Sequence, residues 1–270
     1  IVIVTGCFSQ INPDKLKDLE GVSIVLGNHD KSKIIEYLDK YKEEKKQISN
    51  IYKMDEVPFE TMKLNNFNKT RAFVKIEDGC ENFCSYCIIP YTRGKVRSKK
   101  VNDVLEEVTA LVNNGHHEIV LTGIHTGHYG ADLENADFSD LLELICKIEG
   151  LERLRISSIE ITELNDKFLD VLSKNPIIVD HMHIPLQSGC DKTLKDMNRK
   201  YDVEYFINKI NAIRKIRPDM SITTDLIVGF PGETEEDFIE TLETIKKVEF
   251  SKIHVFPYSR RSGTKADLMD

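Results

Sequence analysis

From Arg71 onward the sequence alternates between two periodicities. Short strand-like runs at Ala72 to Ile76, Glu118 to Thr122, Arg153 to Ser157, His181 to Ile184, Ser221 to Val228 and Lys252 to Phe256 alternate with stretches whose apolar residues recur three and four apart. Those stretches lie near Val101 to Asn113, Ser139 to Ile148, Asn165 to Ser173, Tyr201 to Ile216 and Thr234 to Lys246. Strands separated by helices long enough to cross back over a sheet are parallel and joined by right-handed crossovers, so the expected class is α/β. Periodicity does not separate an open sheet from a barrel. In both, the chemistry belongs at the carboxyl ends of the strands.

A smaller α/β pattern precedes this one. Ile1 to Val4 reads as a strand and Thr5-Gly6-Cys7 as a turn, and Asn12-Pro13 begins a helix. Val22 to Leu26 reads as a second strand and Asp30 to Tyr41 as a second helix. From Lys42 through Asn68 the pattern dissolves into charges and isolated apolar residues, which suits a connector. The expected organisation is therefore residues 1–50 as the C-terminal part of a small α/β domain, 51–70 as a linker and 71–270 as the main domain. The chain opens without Met inside an apolar run and stops at Asp270 without a capping signal, which reads as a piece of a longer protein.

Charge and cysteine content narrow the function. A formal net charge of -8 argues against nucleic-acid binding by the chain's overall field. Six cysteines in 270 residues are too sparse for a secreted disulfide scaffold, and no secretory signal or apolar run of membrane-spanning length is present. These features predict a soluble, cytoplasmic chain with no membrane partner. In that reducing compartment clustered thiols bind metal more often than they pair.

Three of the six cluster. Asp78-Gly79-Cys80-Glu81-Asn82-Phe83-Cys84-Ser85-Tyr86-Cys87 stands at the end of the first strand of the main domain. Thiolates with three and then two intervening residues can close round one small iron–sulfur cube, each taking an iron, with no fourth Cys nearby to complete it. One iron is then open to a small molecule. Zinc would use the same thiolates with His125 or His128, and simple burial of unlinked thiols is the third reading.

Wider motifs bear on that choice. Val4-Thr5-Gly6-Cys7, Gly79-Cys80-Glu81-Asn82-Phe83-Cys84, Ile89-Pro90-Tyr91-Thr92-Arg93-Gly94, Pro185-Leu186-Gln187-Ser188-Gly189 and Gly229-Phe230-Pro231-Gly232-Glu233-Thr234 together resemble the radical S-adenosylmethionine methylthiotransferases, over nearly the whole chain. Glu118 to Gly127 and His254 to Ser259 are most similar to the enzymes that act on threonylcarbamoyladenosine in tRNA. The resemblance implies a six-fold β/α partial barrel, TIM-like and of radical SAM type. It implies a [4Fe-4S] cluster on Cys80, Cys84 and Cys87 whose open iron chelates S-adenosylmethionine, which the cluster's electron splits to a 5′-deoxyadenosyl radical. It also implies a second [4Fe-4S] cluster in which Cys7 matches the last of three ligands, the other two having no counterpart here.

The implied reaction adds a 2-methylthio group to N6-threonylcarbamoyladenosine next to the anticodon. The implied partners are the tRNA anticodon stem-loop, S-adenosylmethionine and a reducing electron donor. Alternative acceptors are isopentenyladenosine in tRNA and a ribosomal-protein aspartate. The rival of a different class is a zinc-stabilised RNA-binding module without catalysis.

Further residues suit the cofactor on physical grounds. Tyr86 can pack on adenine, Gly123 admits a close backbone approach, and Glu160 can accept from a ribose hydroxyl or an ammonium. Gln187 and Ser188 can orient polar groups, Arg199 can clamp a carboxylate, and Val228 with Gly229 can wall an adenine. His181 and His183 share a strand face and read as hydrogen-bonded histidines rather than ligands. Cys146 reads as helix core, and Cys190 has no assigned role. Arg93, Lys95, Arg97, Lys99 and Lys100 after the cysteine loop, with Arg260, Arg261 and Lys265 near the end, are candidates for phosphate contact.

Overall fold

The computed structural model describes residues 1–63 and 67–270. The first part consists of β1 (Val2–Thr5), α1 (Cys7–Ile11), α2 (Pro13–Lys17), β2 (Val22–Leu26), α3 (Ile34–Glu44) and β3 (Ile48–Asn50), with the strands parallel in the order β1-β2-β3. Central β2 has Ile24, Val25 and Leu26 fully buried, as an unbroken apolar run in a parallel sheet should be.

Two details depart from the sequence reading. Cys7 opens a helix of its own, and the helical path breaks at Asn12 because Pro13 has no N–H to continue it and starts α2 instead. Strand β3 lies inside the expected connector; three residues pairing with one edge of β2 are too few to show a period. Residues 51–63 are also tied down. Met54 is buried, its carbonyl accepts from Arg97 Nη1 at 2.7 Å, and Asp55 Oδ1 accepts the Lys95 N–H at 2.8 Å. Residues 64–66 of the expected linker lie outside the described residues.

The main part runs β4 (Arg71–Lys75), β5 (Glu77–Asp78), α4 (Ile89–Arg93), β6 (Arg97–Ser98), α5 (Val101–Asn113), β7 (Glu118–Thr122), α6 (Phe138–Ile145) and β8 (Arg153–Ile156). It continues with α7 (Asp166–Lys174), β9 (His181–His183), α8 (Asp191–Asp196), α9 (Val203–Ile216), β10 (Ser221–Val228), α10 (Glu235–Val248) and β11 (Lys252–Pro257). Parallel ladders join β4-β7-β8 and β9-β10-β11. The two sets meet where Leu154 N–H donates to Ile177 O at 2.8 Å and Leu154 O accepts from Val179 N–H at 3.0 Å. Six parallel strands thus follow chain order. Among the described residues no ladder joins β4 to β11, so the barrel is incomplete.

The core lies between these strands and their helices. On β4, Ala72 and Val74 are buried while Arg71, Phe73 and Lys75 are exposed, the two-residue period of a strand with one covered face. Ile119, Leu121, Leu154 and Met182 meet Val104, Val108, Leu111, Leu141 and Phe206 from the helices in one buried cluster. Helix starts are set by short polar side chains. Asp137 and Thr234 form capping boxes with Asp140 and Asp237, and Asn165 and Asp202 cap α7 and α9.

Candidate functional site

The loops after the strands converge as parallel β/α order requires. Cys80, Cys84, Cys87 and Tyr86 after β5, His125 after β7, Glu160 after β8, Gln187 after β9 and Arg199 after α8 line one cavity of about 180 Å³. The cysteine loop is pinned along its length. Antiparallel pairing of β5 with β6 closes its base, and Gly79, at φ 101°, passes so near Lys95 O that a Cβ would lie 2.0 Å from it. Cys80 N–H donates to Gly94 O at 3.0 Å and Cys87 N–H to Cys84 O at 2.9 Å. Between them Ser85 Oγ donates to Asp196 O at 2.7 Å, and Asn198 Nδ2 to Phe83 O at 2.8 Å.

Burial dominates the electrostatics of two of these thiols. It pushes Cys80 up to about 12 and raises Cys87. A bound cationic centre would favour the thiolate form of these two. The three cysteines do not form a group of ligand atoms within 4.8 Å; among the described residues His125, His128 and Glu163 do. One tetrahedral zinc, with Zn–S about 2.3 Å, needs sulfurs about 3.8 Å apart. The wider spread suits an inorganic core larger than one ion, so a [4Fe-4S] cluster fits this donor set better than zinc. His125 Nδ1 is 3.9 Å from Cys80 Sγ, while its Nε2 turns to within 3.5 Å of Glu163 Oε1.

The opposite wall is charged. Arg199 pairs with Glu160 through Nη2, donates to Cys84 Sγ from Nη1 at 3.3 Å and to Tyr201 Oη from Nε at 3.1 Å. Tyr201 is itself anchored on Leu186 O at 2.8 Å. Gln187 takes a left-handed φ of 68°, held by backbone hydrogen bonds to Asp225 and Ile227 on β10. At Gly123 a Cβ would lie 2.7 Å from Glu77 Oε2, so the close approach there is made by a carboxylate. That oxygen accepts the His125 N–H at 2.7 Å, while among the described residues Glu77 Oε1 is buried without a hydrogen-bond partner.

Ser188 and Val228 stand outside the cavity. Ser188 is fully buried against Thr241 and the Cys190 N–H, and Val228 ends β10 with its carbonyl accepting from Tyr258. Ile124, Thr126, Ser158 and Asn82 also line the cavity, none of them among the cofactor candidates in the sequence, and His125, a zinc candidate there, lines it too. Their signal is positional: three of them lie in the loops that follow β7 and β8.

Cys7 has a different environment. Burial would raise its thiol, but the charge and hydrogen bond of Arg93, whose Nε is 3.3 Å from the sulfur, outweigh it with help from Asn28 and Thr92, and the thiol sits below its ordinary value. Arg93 also reaches Asp78 Oδ1 at 3.3 Å, two residues before Cys80. The basic group after the cysteine loop is thereby corrected as a phosphate surface. Arg93 faces Cys7, Arg97 is buried on Met54 O and Asp78, and Lys99 is buried on Glu107, because β6 and its flanks pack inward. Lys95, Lys100, Arg260, Arg261 and Lys265 remain exposed. His183 is hydrogen-bonded, to Thr223 Oγ1 at 3.0 Å. Cys146 packs against the main core, and buried Cys190 faces Asp237.

Residues 74–245, which include the cysteine loop and β7 to β10, match the Radical SAM superfamily. The chain belongs to that superfamily. Membership implies a [4Fe-4S] cluster and S-adenosylmethionine as cofactors. Over its full length the chain is 45% identical to the threonylcarbamoyladenosine tRNA methylthiotransferase MtaB of Bacillus subtilis and 41% identical to that of Thermotoga maritima, covering 60% and 61% of them. It is 41% identical over 98% of its length to the tRNA-2-methylthio-N(6)-dimethylallyladenosine synthase of Clostridium tetani, of which it covers 60%. The chain thus spans about three fifths of these relatives. Among solved structures, the cobalamin-dependent radical enzyme OxsB aligns with 99% of the chain and 41% of its own at TM-score 0.66 and 14% identity. The methyltransferase TsrM from Kitasatospora setae aligns with 68% of the chain and 36% of its own at 0.58 and 16%. These two show the fold. Among the described residues no helix is long and apolar enough to cross a membrane.

Proposed function

We propose that this chain is the radical-forming core of a tRNA methylthiotransferase that places a 2-methylthio group on N6-threonylcarbamoyladenosine beside the anticodon. The observation that carries the reading is the three-thiol cavity at the strand ends, in a chain whose full length aligns with the MtaB relatives. Cys80, Cys84 and Cys87 hold the cluster. When bound, the cluster supplies the electron that cleaves S-adenosylmethionine and so starts carbon radical chemistry.

The protein's own part is binding, orientation and exclusion of water. Glu160 and Arg199 present a carboxylate and a guanidinium to the polar ends of the cofactor, Tyr86 and Gln187 form its apolar and amide walls, and Arg199 supports the Cys84 thiolate. Cys7 would serve as one ligand of a second cluster, which would supply the chemistry of the transferred sulfur. Residues 1–50 are then the end of that cluster's domain, 51–70 a linker and 71–270 the radical domain. The anticodon stem-loop and a reducing electron donor are the partners, in the cytoplasm.

Nucleoside mass spectrometry of tRNA from a strain lacking the gene tests this. Loss of the methylthio form with accumulation of threonylcarbamoyladenosine is expected; an unchanged profile would sink the reading. The likeness to the Clostridium tetani synthase favours isopentenyladenosine as the second candidate acceptor, and loss of its methylthio form alone would replace the first.

A further inference from the structure

A second cleft, of about 260 Å³, opens beside the cysteine cavity, and Tyr86 and Gln187 line both. Its other walls include Ile227, Phe256 and Tyr258, and its charged residues are Asp225 and Arg261. Parallel strands are normally covered on both faces, yet on β11 Val255 and Phe256 are 58% and 50% exposed. The two charges differ in their commitments. Asp225 is held between His183 Nε2 at 3.2 Å and His254 Nδ1 at 3.5 Å. Neighbouring Arg260 turns to Asp267 and the Met269 carbonyl. Among the described residues the Arg261 side chain makes no hydrogen bond or ion pair, although it lines the cleft.

An aromatic-walled cleft with one uncommitted guanidinium has a defined complement. Aromatic faces accept a flat heterocycle by stacking, and a guanidinium grips a carboxylate with two parallel hydrogen bonds. A nucleobase carrying an amino-acid-derived substituent supplies both groups. A base with a purely apolar substituent would leave Arg261 unpaired.

We infer that this cleft receives the acceptor base and that Arg261 binds the carboxylate of its threonylcarbamoyl group. This rests on the proposed function for the nature of the acceptor and adds how that acceptor is distinguished. The common wall of Tyr86 and Gln187 then places the base beside the cavity where the radical is made. Phe256 offers the stacking face, and Asp225 is already engaged by His183 and His254.

The test uses the full-length protein and three anticodon stem-loop oligonucleotides. One carries threonylcarbamoyladenosine, one the same nucleoside with its carboxylate converted to an amide, and one unmodified adenosine. Fluorescence anisotropy should show the wild type binding the first roughly 10- to 100-fold more tightly than the amide. Arg261→Gln should erase that preference while leaving affinity for the amide oligonucleotide unchanged, and Arg261→Lys should restore part of it. Phe256→Ala should weaken the modified pair equally.

Three results overturn the inference: no carboxylate preference in the wild type, a preference that survives in Arg261→Gln, or equal weakening of all three oligonucleotides, which would put the guanidinium on a phosphate. The wild-type comparison needs no variant to fold. A fourth stem-loop, carrying isopentenyladenosine, keeps the two failures distinguishable: wild-type preference for it would overturn the proposed acceptor instead.

Discussion

Cys80 and Cys7 each follow a strand, β5 and β1 of separate sheets, and differ in what surrounds the sulfur. Around Cys80 burial has no cationic counterweight and pushes the thiol up to about 12; around Cys7 the Arg93 guanidinium overcomes burial and lowers it. Burial alone does not decide whether a cysteine is ready to bind metal. Burial holds Cys80 as a thiol until a positive centre arrives, whereas Cys7 is prepared by the protein itself. Arg93 joins the two regions, since it also pairs with Asp78 at the root of the loop.

The largest effect expected from breaking this contrast is loss of chemistry. In anaerobically reconstituted full-length protein, Cys84→Ala should abolish formation of 5′-deoxyadenosine. Cys7→Ala should keep that cleavage and lose the methylthio product. Chromatography of both products checks this, and cleavage surviving in Cys84→Ala would contradict the ligand assignment.

Glu77 extends the uncompensated side. Burial pushes it up to about 7 from an ordinary 4.5, so the folded state holds a proton that the unfolded state has released. Its contribution is complete below about pH 4.5 and is lost as pH rises through about 7, roughly 3 kcal/mol in all. Denaturant midpoints of metal-free protein should fall across that window, and Glu77→Gln should flatten the fall. Parallel curves for the two proteins would remove Glu77 as its cause.

On the compensated side the effects are smaller. Arg93→Gln should slow alkylation of Cys7 in metal-free protein at neutral pH by roughly tenfold while leaving Cys80 unchanged. Peptide mass mapping after iodoacetamide pulses reads both sites at once, and equal slowing at both would point to a general structural change. Asn28→Ala, which removes a longer 3.6 Å contact to the Cys7 sulfur, should slow it by only about threefold.

The alternation after Arg71 was legible because each strand and helix is long enough to show its period, and the six parallel strands lie where it put them. Strand β3 was illegible because three edge residues carry no period. The cysteine loop was legible as a spacing. Misread was the basic run from Arg93 to Lys100: charge counted along a chain says nothing of direction, and Arg93, Arg97 and Lys99 turn inward to Cys7, Asp78, Met54 and Glu107. Ser188 matched a motif, yet its hydroxyl bonds Thr241 and neither lines the cavity.

Sequence alone determined the parallel β/α order and the three-thiol loop at a strand end, because hydrophobic period and short-range spacing are properties of neighbouring residues. Tertiary structure decided which charges meet which sulfurs, that Gly123 makes room for Glu77, and that Arg261, among the described residues, is left without a partner beside an aromatic cleft. Those outcomes depend on groups distant along the chain being packed within a few ångströms, where burial and Coulomb forces act and where no local pattern records them.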